Sequence, residues 1–258
     1  MPNIDLAYEI FGSPKNQALL ILHGFFASSR NWRLIANKLA DHFHVYTLDL
    51  RNHGASPHHP QMDYPAMAAD VMQFLEQHKL KDVVLLGHSM GGKTAMWLAL
   101  NHPGFVDKLI IADIAPITYT HTYDQTLAAL KALPLATLSN RKEAELLLAP
   151  TLPELNYRQF LLQNLVLEDG KYRWRIDLDI FQQNASFIIG FPDDKALLPY
   201  AGAALFLAGA DSNYLDPKDL EHLFPSAKVA VIEQADHWLH AQQPEIFVNL
   251  IKQFCALS

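Results

Sequence analysis

Several features that mark other classes of protein are missing from this sequence of 258 residues. It contains one cysteine, Cys255, so no disulfide bond can form within the chain. No apolar run approaches the roughly 18 residues that a membrane-spanning helix needs. Lysine and arginine are not clustered and the net charge is −7, which argues against a surface for nucleic acids or anionic membranes. We therefore expect no membrane span and no nucleic-acid partner.

The first 13 residues also lack the pattern of a secretory signal peptide. They carry acidic residues where a signal peptide has a positive segment followed by an apolar one. The neighbouring histidines His58 and His59 stand in a proline-flanked loop without further ligands at metal-binding spacing. From these observations we expect a cytoplasmic protein without a metal site.

Strand and helix patterns alternate along the first 113 residues, and half of all residues are hydrophobic. The predicted strands cover residues 4–11, 18–22, 43–48, 83–86 and 108–113. Helices are predicted between them, beginning near Ser28, at Pro65 and at Lys93. This alternation predicts an α/β fold with a mostly parallel, doubly wound sheet.

Residues 118–200 interrupt the alternation. Helical patterns occur there at residues 123–133, 141–148 and 156–165, and Asp169-Gly170 predicts a turn. The strand patterns and a closing helix return at residues 203–208, 228–232 and 244–254. Because both ends of the interruption lead back to one sheet, we predict a core of residues 1–117 and 201–258 with an inserted, mainly helical cap at residues 118–200.

The strand pattern at residues 83–86 leads directly into Gly87-His88-Ser89-Met90-Gly91 and then into a helical pattern. Gly-x-Ser-x-Gly between a strand and a helix is the pattern of a nucleophile elbow, a sharp turn that lifts the serine hydroxyl above the sheet. The hydroxyl then lies at a helix N terminus, where developing negative charge is favoured. The pattern predicts Ser89 as the nucleophile of a hydrolase.

A serine hydroxyl needs a base within hydrogen-bonding reach, and that base must be oriented by a third group. In this context the acid and the histidine follow the serine along the chain. His237 follows the last predicted strand, in a loop that can reach over the carboxyl edge of the sheet. His240, three residues later, is the alternative base.

The oxyanion that forms during ester cleavage needs two backbone N–H donors. We expect one from Met90, the residue after the nucleophile, and one from Phe25, in the loop after the first parallel strand. His23 is expected to brace that loop. His88, beside the nucleophile, is expected to pack with its side chain pointing away from the base.

The chain resembles the α/β-hydrolases and, within that fold, the small bacterial YbfF-type esterases. The matching motifs are His23-Gly24-Phe25, Asp49-Leu50-Arg51-Asn52-His53-Gly54, Gly87-His88-Ser89-Met90-Gly91-Gly92-Lys93, Asp113-Ile114-Ala115-Pro116 and Asp236-His237-Trp238-Leu239-His240. The resemblance runs from near residue 18 to near residue 245. It implies hydrolysis of small-molecule acyl esters and of acyl thioesters such as acyl-CoA, with no cofactor. Asp236 departs from the family, which usually has glycine at this position.

The acid of the triad has two candidates. Most α/β-hydrolases place it in a Gly-x-x-Asp pattern after the penultimate strand, but here that strand ends in Gly209-Ala210-Asp211-Ser212. The resemblance instead implies Asp113, in the Asp-Ile-Ala-Pro motif. We predict Asp113 and keep Asp211 as the alternative, because a shift of one residue in a loop can be accommodated.

The predicted function is therefore a serine esterase or thioesterase with Ser89, His237 and Asp113 as its triad. The same triad supports hydrolysis of carbon–carbon bonds or perhydrolysis, and a hydrolase fold can also serve as a non-catalytic binding protein. Within the cap, large apolar residues are expected both to pack on the core and to face the acyl chain: Leu127, Leu130, Leu147, Leu148, Phe160 and Leu161. The sequence does not indicate an oligomeric state.

Overall fold

The computed structural model describes residues 3–193 and 196–256. Residues 1, 2, 257 and 258 of the predicted core, and 194 and 195 of the predicted cap, lie outside the described residues. The strands, numbered in chain order, are β1 (Tyr8–Phe11), β2 (Gln17–Leu22), β3 (Phe43–Leu48), β4 (Val83–His88), β5 (Val106–Ala112), β6 (Leu165–Glu168), β7 (Lys171–Trp174), β8 (Ala203–Gly209) and β9 (Lys228–Ile232). The α-helices are α1 (Arg33–Leu39), α2 (Tyr64–Gln77), α3 (Met90–Asn101), α4 (Asp124–Lys131), α5 (Arg141–Leu148), α6 (Leu155–Leu161), α7 (Leu178–Ile189), α8 (Leu239–Gln242) and α9 (Pro244–Phe254).

The main sheet has seven strands in the order β1-β3-β2-β4-β5-β8-β9. All of them run parallel except β1, which pairs antiparallel with β3 at one edge. The predicted α/β fold with a mostly parallel sheet is confirmed. Since β4, β5 and β8 are neighbours, the loops that follow them meet at one carboxyl edge, where such folds bind ligands.

The first strand is shorter than predicted. It begins at Tyr8 rather than at residue 4, because the Ile4 N–H donates to the Asp70 carboxylate at 2.9 Å instead of to a neighbouring strand. Alternation of apolar and polar residues identified the segment correctly. The alternation could not show that the Asp70 side chain of α2 accepts the hydrogen bond of the Ile4 N–H.

Strand β4 lies in the middle of the sheet and is buried on both faces. Val83 and Leu85 pack into the apolar cluster with α2 and α3, whereas Val84 and Leu86 pack into the cluster with α1 and α9. Successive side chains of a strand point to opposite faces, so a strand covered on both sides reads as a continuous apolar run. This central position fixes the place of the turn that follows β4.

Between β5 and β8 the chain forms α4 to α7 and the hairpin β6–β7; we call residues 118–193 and 196–200 the cap segment. The helix predicted at residues 156–165 ends at Leu161, and Leu165 begins β6. Residues 165–168 pair with β7 instead of continuing the helix. The two strands are joined by the turn at Asp169-Gly170, where both residues have positive φ angles, of 50° and 74°. Helix α7 was not predicted, although Asp177 marks its start by accepting N–H bonds from the first turn.

The cap segment packs on the loop that follows β2. The Phe181 ring of α7 stacks on Phe25 with ring centroids 4.6 Å apart and an interplanar angle of 22°. Asn164 Nδ2 donates to the Phe26 carbonyl at 2.7 Å. The described part of the chain holds no helix long and apolar enough to cross a membrane.

Candidate active site

Ser89 stands at the sharp turn between β4 and α3. Its φ of 52° and ψ of −119° belong to a region that non-glycine residues rarely adopt. The Ser89 N–H donates to the Ala112 carbonyl of β5 at 3.2 Å, and its carbonyl accepts the Lys93 N–H at 3.0 Å. The strained turn is therefore held from the neighbouring strand and from the helix it begins.

Gly87 and Gly91 are required by close backbone approach at this turn. A Cβ atom on Gly87 would lie 2.3 Å from the carbonyl oxygen of Gly91, and one on Gly91 would lie 2.3 Å from that of Leu22. No side chain fits at such distances. This is the collision that the Gly-x-Ser-x-Gly pattern predicts.

Asp113 and His237 meet at the carboxyl edge of the sheet. His237 Nδ1 donates to Asp113 Oδ2 at 2.8 Å, and the carboxylate is fully buried. Asp113 follows β5 with a φ of 51°, and its N–H donates to the Leu207 carbonyl of β8 at 2.8 Å. With Nδ1 donating to the acid, Nε2 is the ring atom that can accept a proton. Ser89 and His237 both line one cleft. Among the described residues no hydrogen bond joins the two side chains, and such a catalytic hydrogen bond often tightens only when substrate binds.

Ser212 contributes to the site without having been predicted. Its Oγ donates to Asp113 Oδ2 at 2.5 Å, and the Gly209 N–H donates to Oδ1 at 3.0 Å. With the bond from His237, the carboxylate thus receives three donors. Ser212 occupies the fourth position of the Gly-x-x-Asp pattern, so the serine at the usual acid position was the signal that could have identified it.

The other two aspartates of this edge have different surroundings. Asp211 is exposed, and its N–H donates to the Ala235 carbonyl at 2.9 Å. Among the described residues its carboxylate makes no hydrogen bond to His237. Asp236 accepts the Trp238 N–H at 2.8 Å through Oδ1. The aspartate that replaces the usual glycine therefore stabilises the loop that carries His237.

The His237 ring lies between two other rings. Tyr214 stacks on it with centroids 4.1 Å apart, and the His88 ring lies 4.7 Å away on a tilted plane. His88 Nε2 donates to the His237 carbonyl at 2.8 Å. The prediction that His88 points away from the base is wrong, because β4 ends at His88 and its side chain turns towards the loop after β9. Both rings restrict the orientation of His237.

His240, the alternative base, is buried in α8, directly before the closing helix α9. Its ring stacks on Trp32 with centroids 4.1 Å apart and an interplanar angle of 9°. Within the described residues, His240 Nδ1 has no hydrogen-bond partner. The structure therefore brings His237, and not His240, to a carboxylate.

The two predicted oxyanion donors carry unused N–H groups. Neither the Phe25 nor the Met90 amide forms a hydrogen bond to another described residue. The next amide along the loop is already bound, since the Phe26 N–H donates to His53 Nε2 at 3.3 Å. Phe26 also has a positive φ of 62°. The loop conformation therefore leaves the amide of Phe25 available to a ligand.

Residues of the Asp49–Gly54 motif support this loop from below. His23 Nδ1 donates to the Gly24 carbonyl at 2.8 Å, and Nε2 accepts the Leu50 N–H at 3.0 Å. Asp49 Oδ1 accepts the Ser29 N–H at 2.7 Å. His23 thus braces the loop, as predicted.

Burial keeps the histidines around His237 uncharged. Loss of solvent lowers the pKa of His23, holds the pKa values of His53 and His88 well below their usual range, and lowers the pKa of His240 to about 3. Proximity to His237 lowers the pKa of His88 further. Burial therefore disfavours a positive charge on each of these four rings.

A cleft of about 890 Å³ opens above Ser89. Its size suits an acyl group together with a leaving group. The aromatic residues that line it come from the core and from the cap segment: Phe25, Phe26, Trp32, Tyr123, Tyr157, Phe160, Tyr214 and Trp238. Apart from histidines and tyrosines, the ionisable side chains that line the described cleft are the carboxylates of Glu154, Asp211 and Asp236, with no lysine or arginine.

Most of the six cap residues named as candidates to face the acyl chain pack elsewhere. Of the six, Phe160 lines the cleft. Leu127, Leu130, Leu148 and Leu161 are buried in the apolar core, and Leu147 is 48% exposed. Helical spacing identified apolar faces but could not show which face meets the core, since that depends on how the helices pack.

His58 and His59, in the loop after β3, do not form a metal site with other described residues. His58 is exposed, and His59 Nδ1 accepts the Gln61 N–H at 3.1 Å. Within residues 3–193 and 196–256, no group of three or more histidine, cysteine, aspartate or glutamate residues could hold a metal ion.

Comparisons with known proteins agree with this geometry. Residues 17–244 match the family model described as alpha/beta hydrolase fold. The chain is 41% identical over 263 residues to the sn-1-specific diacylglycerol lipase ABHD11 of Xenopus tropicalis, covering 97% of this chain and 82% of that protein. It is 33% identical to esterase YbfF of Escherichia coli strain K12, covering 93% of each. A solved structure described as a marine microorganism esterase superposes with a TM-score of 0.93 at 41% identity, covering 98% of this chain and 100% of that one.

Proposed function

The chain belongs to the α/β-hydrolase fold family, and from that premise we propose that it cleaves neutral carboxylic esters through an acyl-enzyme on Ser89. As a carboxylic ester hydrolase of the esterase and lipase type, it is an enzyme, which excludes the alternative of a non-catalytic binding protein. The observation that carries the proposed mechanism is the 2.8 Å hydrogen bond between His237 and the buried Asp113, beside the strained turn at Ser89.

The proposed reaction has two steps. Ser89 Oγ attacks the ester carbonyl carbon while His237 Nε2 takes the hydroxyl proton, and Asp113 stabilises the imidazolium. The N–H groups of Phe25 and Met90 bind the oxyanion of the tetrahedral intermediate. When the intermediate collapses, the carbon–oxygen bond breaks and His237 gives its proton to the leaving alcohol. Water, deprotonated by His237, then attacks the acyl-enzyme; the bond between the acyl carbon and Ser89 Oγ breaks, His237 returns the proton to Oγ, and the carboxylic acid is released.

The charge of the cleft favours neutral substrates. Its carboxylates, Glu154, Asp211 and Asp236, repel anions, and none of the described lining residues offers a lysine or arginine to bind phosphate. A diacylglycerol, the substrate that the name of the Xenopus relative gives for that protein, is an uncharged ester. We propose glycerides or similar neutral lipids as substrates. Thioesters of uncharged thiols fit the same mechanism, whereas acyl-CoA carries phosphates that the carboxylates of the cleft repel.

The cap segment is proposed to choose the acyl group. Tyr123, Tyr157 and Phe160 place apolar surface over Ser89, and such surface discriminates between acyl chains by about 1 to 3 kcal/mol for each methylene. We retain residues 118–200 as the boundaries of this proposed cap. The cytoplasmic location stays a prediction.

Two assays test the proposal. A fluorophosphonate probe should label the wild-type protein at Ser89, and rapid labelling that survives in Ser89→Ala would contradict the assignment of the nucleophile. Kinetics should then compare p-nitrophenyl esters of graded length, a diacylglycerol, and the same acyl group on pantetheine and on CoA. We expect hydrolysis of the neutral esters and a higher kcat/KM for the pantetheine thioester than for the CoA thioester. A preference for CoA would overturn the proposed substrate class but not the mechanism.

A further inference from the structure

Lys93 is a buried charged side chain that the proposed mechanism does not use. It lies in the first turn of α3, four residues after Ser89, and only 1% of its surface is exposed. None of the described carboxylates forms an ion pair with it. A lysine is rarely buried without such a partner, so its contacts call for an explanation.

The Lys93 ammonium joins Ile117, directly before the cap segment, to the C-terminal end of α7, and we call these two places the cap ends. Nζ donates to the carbonyls of Ile117, Ile189 and Gly190, each at 2.7 Å, and so uses all three of its N–H groups. Ile117 lies where the chain leaves the core after β5, and Ile189 and Gly190 lie where α7 ends. The Tyr119 N–H also donates to the Ile189 carbonyl, at 3.3 Å. The entering and leaving segments are therefore held together at one point of the nucleophile helix.

The electrostatic surroundings of Lys93 come from the backbone and from tyrosine rings. The last carbonyls of α7 form the negative end of its dipole, and the Tyr119 ring centroid lies 4.6 Å from Nζ. Burial lowers the pKa of Lys93 to about 7. An apolar side chain of similar length would avoid this cost of removing a charge from water. A lysine at this position thus indicates that the orientation of the three carbonyls matters.

The helix that Lys93 holds also contacts the oxyanion loop. Helix α7 carries Phe181, which stacks on Phe25, and the Phe25 N–H is a proposed oxyanion donor. A continuous set of contacts therefore runs from the nucleophile helix through Lys93 and α7 to the loop facing Ser89.

We propose that Lys93 is a positioning residue that fixes α7, and through Phe181 the oxyanion loop, relative to Ser89. Its kinetic consequence rests on the proposed ester hydrolysis at Ser89, whereas its structural consequence does not. Loss of the ammonium should loosen both cap ends while the sheet stays intact. The acyl and oxyanion parts of the cleft should then lose their alignment.

Hydrogen exchange tests the structural part on the full-length protein. Lys93→Met removes the three donors but keeps the length of the side chain, and Lys93→Gln keeps amide donors on a shorter one. The control is Lys131→Met, because Lys131 bonds to Asp179 and Gln182 on the surface of the cap segment. In Lys93→Met we expect amides of residues 117–120 and 187–191 to exchange about tenfold faster or more, with β4 and β5 within twofold of wild type. In Lys93→Gln these amides should exchange at rates between those of wild type and Lys93→Met, and in Lys131→Met they should exchange at the wild-type rate.

Kinetics on the same variants test the link to the site. Because the Phe25 N–H is the proposed oxyanion donor for every ester, Lys93→Met should lower kcat for both p-nitrophenyl acetate and a long-chain ester by about threefold to thirtyfold, whereas Lys131→Met should leave kcat for both esters unchanged. Unchanged exchange at residues 117–120 and 187–191, uniformly faster exchange including β4 and β5, failure of both Lys93 variants to fold, or an unchanged kcat for both esters would overturn the inference. If the wild type hydrolyses no ester, the proposed function fails, and the exchange experiment still decides whether Lys93 holds the cap segment.

Discussion

The carboxyl edge of the main sheet and the cap segment both line one cleft and are built differently. At the sheet edge, Ser89 and Asp113 have positive φ angles, and the Asp113 carboxylate accepts three hydrogen bonds. The cap segment meets the same cleft mainly through rings, such as those of Tyr157 and Phe160. Chemistry requires reacting atoms placed to a fraction of an ångström, whereas acyl binding requires apolar area of suitable shape. The difference suggests that the edge performs the reaction and the cap segment selects the substrate.

Removing the nucleophile should have the largest effect. Ser89→Ala should lower kcat by about 10⁴-fold or more while leaving the fold intact, because it removes the hydroxyl that is proposed to form the acyl-enzyme. The measurement is kcat on a p-nitrophenyl ester together with the unfolding midpoint. More than a few per cent of wild-type turnover in the purified variant would show that Ser89 is not the nucleophile.

A substitution at Ser212 tests whether the donors around the acid matter. Ser212→Ala removes one charge-assisted hydrogen bond from Asp113 and should reduce kcat/KM about tenfold to a hundredfold. Asn213→Ala is the control, since Asn213 lines the same cleft without bonding the acid. An equal kcat/KM in Ser212→Ala and Asn213→Ala would show that the hydrogen bond from Ser212 to Asp113 does not contribute to catalysis.

A substitution in the cap segment should change selectivity rather than chemistry. Phe160→Ala enlarges the cleft and should shift the ratio of kcat/KM for long and short acyl chains by about tenfold, with little change for an acetate ester. The matched control is Phe187→Ala, because Phe187 lies on α7 and is 56% exposed. A chain-length profile that matches the control would reduce the role of Phe160 to packing.

Acid should lower the free energy of unfolding, because the buried ring of His240 resists protonation in the folded protein. Burial lowers the folded-state pKa of His240 to about 3, below the ordinary histidine value of 6.5, so between these values the unfolded chain binds more protons. His240 therefore contributes stability that is present above pH 6.5 and is lost as the pH falls towards 3. In urea unfolding, His240→Phe should lose less stability than wild type between pH 7.5 and pH 5. Parallel losses in the two proteins would argue against the buried neutral ring.

Sequence patterns predicted the sheet edge better than the cap segment. The apolar run before Gly87 and the loop position of His237 each follow from a local pattern that one strand imposes. The contact between Ser212 and Asp113 joins residues 99 positions apart, and no local pattern encodes it. His88 was placed wrongly for the same reason, since its partner is the His237 carbonyl on another loop.

In the cap segment, the missed features depend on packing. Helix α7 was overlooked because its sequence mixes apolar and amide side chains, although Asn184 bonds to the core through the Met62 N–H and the Pro60 carbonyl. The buried Lys93 likewise becomes understandable only once the end of α7 is seen above it. A lysine followed by the apolar helix from Ala95 onwards was the available signal.

The central claim is that Asp113, which follows β5, orients the base, and not Asp211, which follows β8. The direct test is kcat/KM of Asp113→Asn and Asp211→Asn on one ester, with unfolding curves to confirm that both are folded. Asp113→Asn should lose about 10⁴-fold in turnover, because the imidazole loses its orienting acceptor and its charge partner. Asp211→Asn should lose about tenfold or less, since its carboxylate is exposed and makes no bond to His237 within the described structure. An inactive Asp211→Asn beside an active Asp113→Asn would contradict the account.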